Sequence, residues 1–187
     1  ALGRRQAYGL QTTRLDRPRP NRLGRRARGP PVTLYLDTSS LVKLYVTEPG
    51  TDAVRKLVDE ATIVATSFVA YPETRAALAR RRRERALRPV AFALAKRTFE
   101  ADWSKYLSVE VTASICREAG ELAERYRLRG YDSLHLASFA EVARQAGARE
   151  ARFSSFDDRL NRAARSLART LARTTRRCSR PRWSSSR

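Results

Sequence analysis

Short apolar segments separated by helical segments constrain the fold of this 187-residue chain more than any other feature. Residues 32–36 (VTLYL) and 62–66 (TIVAT) carry no charge and are rich in strand-forming residues, as buried strands of a parallel sheet are. Residues 108–111 (SVEV) and 151–155 (ARFSS) have the composition of two further strands. The predicted order β-α-α-β-α-α-β-α-α-β-α indicates an α/β fold, a three-layer α/β/α sandwich around a central, mainly parallel sheet.

Capping and breaking residues place the helices between these strands. A long helix is predicted from about Ser67 to Leu87, with Pro72 in its first turns, where proline is tolerated. The last helix is predicted to begin at about residue 158 and to run through Leu167. A short edge strand is predicted to follow it at residues 170–172.

Positive charge is spread unevenly along the chain, whose net charge is +20. Residues 1–31 hold nine Arg and one Asp, and residues 173–187 hold six Arg and no acid, in both cases without apolar periodicity. Such segments bury too little apolar surface to offset their chain entropy. We therefore predict a folded domain over residues 32–172, a disordered or mis-extended basic N-terminal tail over 1–31, and a disordered basic C-terminal tail over 173–187.

Several protein classes are excluded by composition. No run approaches the roughly 20 apolar residues of a membrane span, and the basic N-terminus lacks the apolar stretch of a secretory signal. Cys116 and Cys178 form neither a disulfide framework nor a metal-binding spacing. These features predict a cytoplasmic protein without a membrane partner. The positive charge favours a polyanionic partner such as nucleic acid.

Four acidic residues occupy related places in the predicted topology. Asp37 ends the first strand, and Asp157 lies two residues after the last. Asp132 opens a helix, and Glu73 lies in the first turns of the helix after the second strand. Ligand sites of parallel sheets lie outside the carboxyl ends of the strands. We therefore expect the four carboxylates to share one site.

Carboxylates gathered in one pocket repel each other unless a cation neutralises them. Mg²⁺ and Mn²⁺ prefer oxygen ligands and often share the substrate phosphate, so this donor set predicts hydrolysis of phosphodiesters. Each acid also has a structural interpretation. Asp37 and Asp132 could act only as helix caps, Asp157 and Asp158 compete for one capping position, and Glu73 could be a solvated helix residue.

Four segments of the chain resemble the motifs of PIN-domain nucleases. They are YLDTSSLVKLYV, TSFVAYPETRAAL, GYDSLHLASFAEV and FSSFDDRL, and the resemblance covers about residues 32–172. It is closest to the VapC-type toxins of bacterial type II toxin–antitoxin modules. The resemblance implies a Mg²⁺-dependent endoribonuclease, with Mn²⁺ as a substitute, that cuts RNA and is silenced by a cognate antitoxin.

The resemblance also implies roles for particular residues. Asp37 and Asp132 match the metal ligands of the family, and Glu73 and Asp157 match its other two acids. Ser39 matches a small hydroxyl residue near the first acid, where it would orient Asp37 or a water on the metal. Ser155 stands where the family has Thr or Ser before the last acid. Pro72 directly before Glu73 departs from the pattern, as do the basic tails.

Other residues are open to two interpretations. A dense run of arginines near the end of the Glu73 helix is either a solvated helix end or a set of phosphate contacts with RNA: Arg80, Arg81, Arg82, Arg83 and Arg85. His135, the only histidine, is predicted to be structural. The aromatic residues of one helical segment are assigned to the core or to the interface of a predicted homodimer: Phe92, Phe99, Trp103 and Tyr106.

Two alternatives to a nuclease are compatible with a basic α/β protein. One is a basic RNA-binding protein that uses a degenerate PIN scaffold without catalysis. The other is a phosphatase of the haloacid-dehalogenase type, which requires a second aspartate two residues after the first. Ser39 occupies that position and argues against the phosphatase.

Overall fold

A computed structural model describes residues 31–178 of the chain. Residues 1–30 of the predicted N-terminal tail and 179–187 of the predicted C-terminal tail lie outside the described residues. The elements follow the predicted order and have these bounds: β1 Thr33–Leu36, α1 Thr38–Leu41, α2 Thr51–Glu60, β2 Ile63–Ser67, α3 Ala70–Arg83, α4 Pro89–Trp103, β3 Leu107–Val109, α5 Ala113–Tyr126, α6 Gly130–Ala146, β4 Ala151–Ser154 and α7 Asp158–Cys178. A short 3₁₀ turn, Val42–Leu44, follows α1.

The four strands form one parallel sheet in the order β3-β2-β1-β4. β1 is central, and its Leu34 pairs with Val64 of β2 on one side and with Arg152 of β4 on the other. All four residues of β1 are buried, which explains its continuous apolar sequence. The predicted parallel sheet is confirmed.

The apolar core lies on both faces of this sheet. Leu34 and Leu36 belong to one cluster, which they form with α1 to α4, whereas Tyr35 belongs to a second cluster with α5 to α7. Successive strand residues point to opposite faces of the sheet, so β1 contributes side chains to both clusters. Phe99 is fully buried in the first cluster, and its predicted neighbours Phe92, Trp103 and Tyr106 pack there too. The three-layer sandwich is confirmed.

The last helix departs from the prediction. α7 continues unbroken past residue 172 to Cys178, so the edge strand expected at residues 170–172 is wrong. The apolar positions Leu160, Ala163 and Leu167 keep a helical spacing that Leu171 continues, and Ala, Leu and Arg all favour helix. Among the helices of the described range, none has the length and apolar character needed to cross a membrane.

Candidate active site

Asp37 lies where β1 passes into α1 and is 6% exposed. It is the N-cap of α1, and its Oδ1 accepts a hydrogen bond of 2.9 Å from the backbone N–H of Ser40. The structural interpretation of Asp37 as a cap is therefore correct. This carboxylate does more than cap the helix, because two serine side chains also bind it.

Ser39 and Ser155 hold Asp37 from two sides. Ser39 Oγ lies 2.8 Å from Oδ1 and 3.0 Å from Oδ2, and Ser155 Oγ donates to Oδ2 at 2.7 Å. Each serine oxygen also accepts a backbone N–H, from Phe156 at 2.8 Å and from Asp157 at 2.9 Å respectively. Both hydroxyl hydrogens are thereby directed at Asp37. The two serines couple the ends of β1 and β4 and fix the carboxylate's orientation.

The competition between Asp157 and Asp158 is resolved by the start of α7. Asp157 Oδ1 accepts the backbone N–H of Leu160 at 2.9 Å, which is the contact of an N-cap. Asp158 is exposed in the first turn of the helix. Asp157 is thus held beside Ser155, next to the other acids.

Asp132 lies in the first turn of α6 and faces two like charges. Burial raises the pKa of Asp132, and the charges of Asp157 and Asp37 raise it further, while Arg129 partly opposes them. A carboxylate feels such neighbours only when they are close. Asp132 therefore lies within electrostatic range of Asp157 and Asp37.

Glu73 lies on the same side but has different partners. Pro72 does not displace it, because α3 begins at Ala70 and both residues lie within its first turns. Thr38 donates a hydrogen bond to Glu73, and His135 Nε2 lies 2.9 Å from Glu73 Oε2. Burial alone would raise the pKa of Glu73, but the bonds from His135 and Thr38 outweigh it and hold the pKa below its ordinary value. Glu73 therefore stays ionised at neutral pH.

His135 and Thr38 are the two residues that sequence reasoning did not assign to the site. His135 is buried and contacts Glu73, Thr38 and the Tyr35 hydroxyl, whose oxygen lies 3.0 Å from Nδ1. The available signal was the spacing of three residues from Asp132, which places both side chains on one side of α6. His135 is structural in the sense predicted, since it is enclosed, but what it supports is an acid of the site.

The acids supply oxygen atoms, which are the ligands that a hard cation prefers. Within residues 31–178, no three His, Cys, Asp or Glu side chains are close enough to form a ready metal cage. Mg²⁺ does not need one, because it is usually held by one or two carboxylates with water and substrate phosphate. Asp37 receives three donor hydrogens for about four lone-pair positions, which leaves room for one more partner. The residues fit an ion with few protein ligands.

The five arginines of the run near the end of α3 do not share one environment. They lie at the end of α3 opposite to Glu73 or just beyond it. Arg81 is half-buried and pairs with Glu48, which also binds Lys43 at 2.6 Å. Arg82 is also half-buried. Three side chains of the run are exposed: Arg80, Arg83 and Arg85. At least one member of the run therefore serves the fold.

Known proteins and one family model match a large part of this chain. A family model described as the PIN domain matches residues 34–166. Ribonuclease VapC45 of Mycobacterium tuberculosis (strain CDC 1551 / Oshkosh) is 42% identical over 109 residues, which are 58% of this chain and 76% of that protein. Ribonuclease VapC49 of strain ATCC 25618 / H37Rv matches to the same extent. Ribonuclease VapC46 of that strain is 31% identical over 134 residues, 72% of this chain and 92% of its own length. As its motifs predicted, the chain belongs to the PIN-domain family.

Proposed function

We propose that this protein is a Mg²⁺-dependent endoribonuclease and the toxin of a toxin–antitoxin module. The observation that carries the proposal is the geometry of the buried Asp37, whose carboxylate is oriented by Ser39, Ser155 and the N–H of Ser40. The pKa of Asp132, raised by burial and by the charges of Asp157 and Asp37, supports it. Such a site gains from a cation and from the phosphate that a cation binds. The names of the relatives, which are ribonucleases, support RNA as the substrate.

Each acid has a distinct task in this proposal. Asp37 and Asp132 would hold the ion, and Ser39 and Ser155 keep Asp37 in one orientation. When bound, Mg²⁺ or Mn²⁺ would supply positive charge that offsets the phosphate oxygens and eases the loss of a proton from water, so that a bond from water to phosphorus forms as the bond from phosphorus to the leaving ribose oxygen breaks. Glu73, ionised and held by His135, accepts a proton from the attacking water. Asp157 supports the site beside Asp132, as a ligand or by orienting water.

The same proposal includes two protein partners. A cognate antitoxin would silence the nuclease, and a second copy of the chain would complete a homodimer. Neither partner is needed for the chemistry assigned to the four acids, so both are separable from the catalytic proposal in an assay of the isolated protein.

Replacement of Asp37 tests the catalytic proposal. Asp37→Asn keeps the side-chain shape but removes the negative charge. We expect Mg²⁺-dependent RNA cleavage to fall by more than the roughly 10- to 100-fold typical of residues that only support a ligand. Asp59→Asn, at an exposed acid of α2, is the matched control and should retain activity. Circular dichroism should show both variants folded, and an active, folded Asp37→Asn protein would refute the proposal.

The non-catalytic alternative is favoured by one observation, the lack of a ready cage of three metal-binding side chains within the described residues. It predicts RNA binding that weakens with salt, without cleavage at any concentration of Mg²⁺ or Mn²⁺. The cleavage assay of the unmodified protein over a range of both ions therefore decides between the two functions.

A further inference from the structure

The exposed face of α7 carries four arginines in a line, which we name the arginine stripe: Arg162, Arg165, Arg169 and Arg173. Their spacings of three, four and four residues keep them within about 80° of one another around the helix. The opposite face carries Leu160, Ala164 and Leu167, which are buried in the core. The core therefore fixes the direction in which the stripe points.

Nothing in the described part of the protein neutralises this stripe. All four side chains are exposed, and none of them forms an ion pair with the acids of residues 31–178. After Asp158, α7 contains no acidic residue. Like charges three or four residues apart destabilise a helix by a few tenths of a kcal/mol per pair. An arrangement that costs stability in the free protein indicates an anionic partner.

The stripe lies on the helix that Asp157 caps. Asp157 caps the first turn of α7, and Arg162 follows it by five residues, about 7 Å along the axis. Between them, Arg159 donates a 3.0 Å hydrogen bond to the carbonyl of Arg127, in the segment that leads to α6 and Asp132. A chain of phosphates that reaches the acids can therefore continue along α7.

The length of the stripe suits the spacing of charges along a nucleic acid strand. From Arg162 to Arg173 the stripe spans about 16 Å. The charges of a stacked strand repeat about every 3.4 Å, so on the order of five phosphates lie along that length. Arg169 and Arg173 also lie beyond residue 166, where the match to the PIN-domain model ends. The stripe thus extends past the part of the chain that the family accounts for.

We propose that the arginine stripe of α7 binds the phosphate backbone of the RNA and leads it to the acidic site. This inference rests on the proposed function for the identity of the polyanion. It assigns binding of substrate to α7 and leaves bond cleavage to the acids. Guanidinium groups suit this role because they bind phosphate through two parallel hydrogen bonds.

The test compares two triple variants of the full chain, both carrying Asp37→Asn so that RNA stays intact. The first replaces Arg162, Arg165 and Arg169 with Gln, which favours helix almost as well as Arg. The matched control replaces Arg97, Arg117 and Arg149, exposed on other elements, and changes the net charge equally. The affinity for a fluorescent single-stranded RNA of mixed sequence is measured without Mg²⁺ over a series of salt concentrations.

We expect the stripe variant to lower the slope of log affinity against log salt by about 2, since each phosphate contact to a single strand contributes about 0.7. The control should keep the slope of the parent. Equal slopes in all three proteins, or equal losses in both variants, would overturn the proposal. A loss confined to binding of polyglutamate, with RNA binding unchanged, would overturn it and assign the stripe to an acidic protein segment.

The binding test is separable from the test of catalysis. If the unmodified protein binds RNA through the stripe but never cleaves it, the proposed function fails and the stripe proposal stands. If the unmodified protein cleaves RNA and the stripe replacements leave the salt dependence of binding unchanged, the proposed function stands and the stripe proposal fails. In a protein that keeps Asp37, the three stripe replacements alone should raise KM for RNA and leave kcat within a factor of about 2, because α7 contacts RNA away from the reacting phosphate.

Discussion

The Nε2 atom of His135 lies 2.9 Å from Oε2 of Glu73, and the other ring nitrogen lies 3.0 Å from the hydroxyl of Tyr35. Burial raises the pKa of Tyr35 well above its ordinary value, so this hydroxyl keeps its proton and can donate to Nδ1. The ring proton of a neutral His135 is then on Nε2, directed at Glu73. A buried chain of polar groups therefore runs from the core to an acid of the site.

Replacement of His135 should impair catalysis through Glu73. His135→Ala removes a donor to Glu73 and leaves the buried Tyr35 hydroxyl without this partner, at a cost of about 1–3 kcal/mol in the free energy of unfolding. We expect kcat for RNA to fall more than KM rises, and the acid limb of the pH–rate profile to shift upward because the pKa of Glu73 is no longer held down. His135→Gln, which offers an N–H to Glu73, should restore part of the activity. A purely structural role would lower stability and leave the pH profile unmoved.

Asp132→Asn should stabilise the protein while abolishing its activity. Burial and the charges of Asp157 and Asp37 raise the pKa of Asp132 above its ordinary 3.8, so the ionised carboxylate destabilises the fold at neutral pH. This cost is complete well above the raised pKa and disappears as the pH falls below 3.8. The variant should therefore unfold at a higher urea concentration than the parent at pH 7, with the difference vanishing in acid.

Mg²⁺ provides the second measurement on Asp132. A ligand that binds only the folded state raises its stability, so the ion should raise the Tm of the parent and leave that of Asp132→Asn nearly unchanged. Asp52→Asn, at an exposed acid of α2, serves as control. Equal shifts of Tm in all three proteins would contradict the assignment of Asp132 as a ligand.

Ser155→Ala should weaken the site without disturbing the fold. The substitution removes the 2.7 Å hydrogen bond to Asp37 and the acceptor for the N–H of Asp157. We expect a loss of about 10- to 100-fold in activity or in apparent affinity for Mg²⁺, as is typical for groups that orient a metal ligand. Ser114→Ala, at an exposed position of α5, should be neutral. Full activity of the Ser155 variant would show that Asp37 is held well enough by Ser39 alone.

The arginines near the end of α3 should separate into two groups. Arg81→Gln removes a partner of the half-enclosed Glu48, and we expect it to lower the free energy of unfolding by about 1–3 kcal/mol. The triple replacement of Arg80, Arg83 and Arg85 by Gln should leave stability nearly unchanged and weaken RNA binding at low salt. Urea unfolding and RNA titration check the two outcomes. Reversed effects would mean that Arg81, and not the exposed group, contacts RNA.

Local signals in the sequence were sufficient for most of the architecture. An apolar run that ends in an acid and continues with Thr and Ser predicts both a strand and a capped helix, and Asp37 occupies that junction. The edge strand predicted at residues 170–172 is wrong because this short segment has no stop signal that separates it from the helix before it. Leu171 continues the apolar face that begins at Leu160, and packing against α6 and β4 extends the helix.

The sequence alone determined the α/β order and the PIN-domain membership, and it singled out the four acids as candidates, because periodicity, capping and motif spacing are local properties. Tertiary structure decided which acids interact electrostatically. It also decided that Asp157 rather than Asp158 caps α7, and that His135 supports Glu73. It also decided that the four arginines of α7 form a single exposed line. These facts depend on contacts between residues far apart in the chain, such as the hydrogen bond from Ser155 to Asp37. Such contacts form only when helices cover both faces of the sheet, because that packing fixes the position of each side chain.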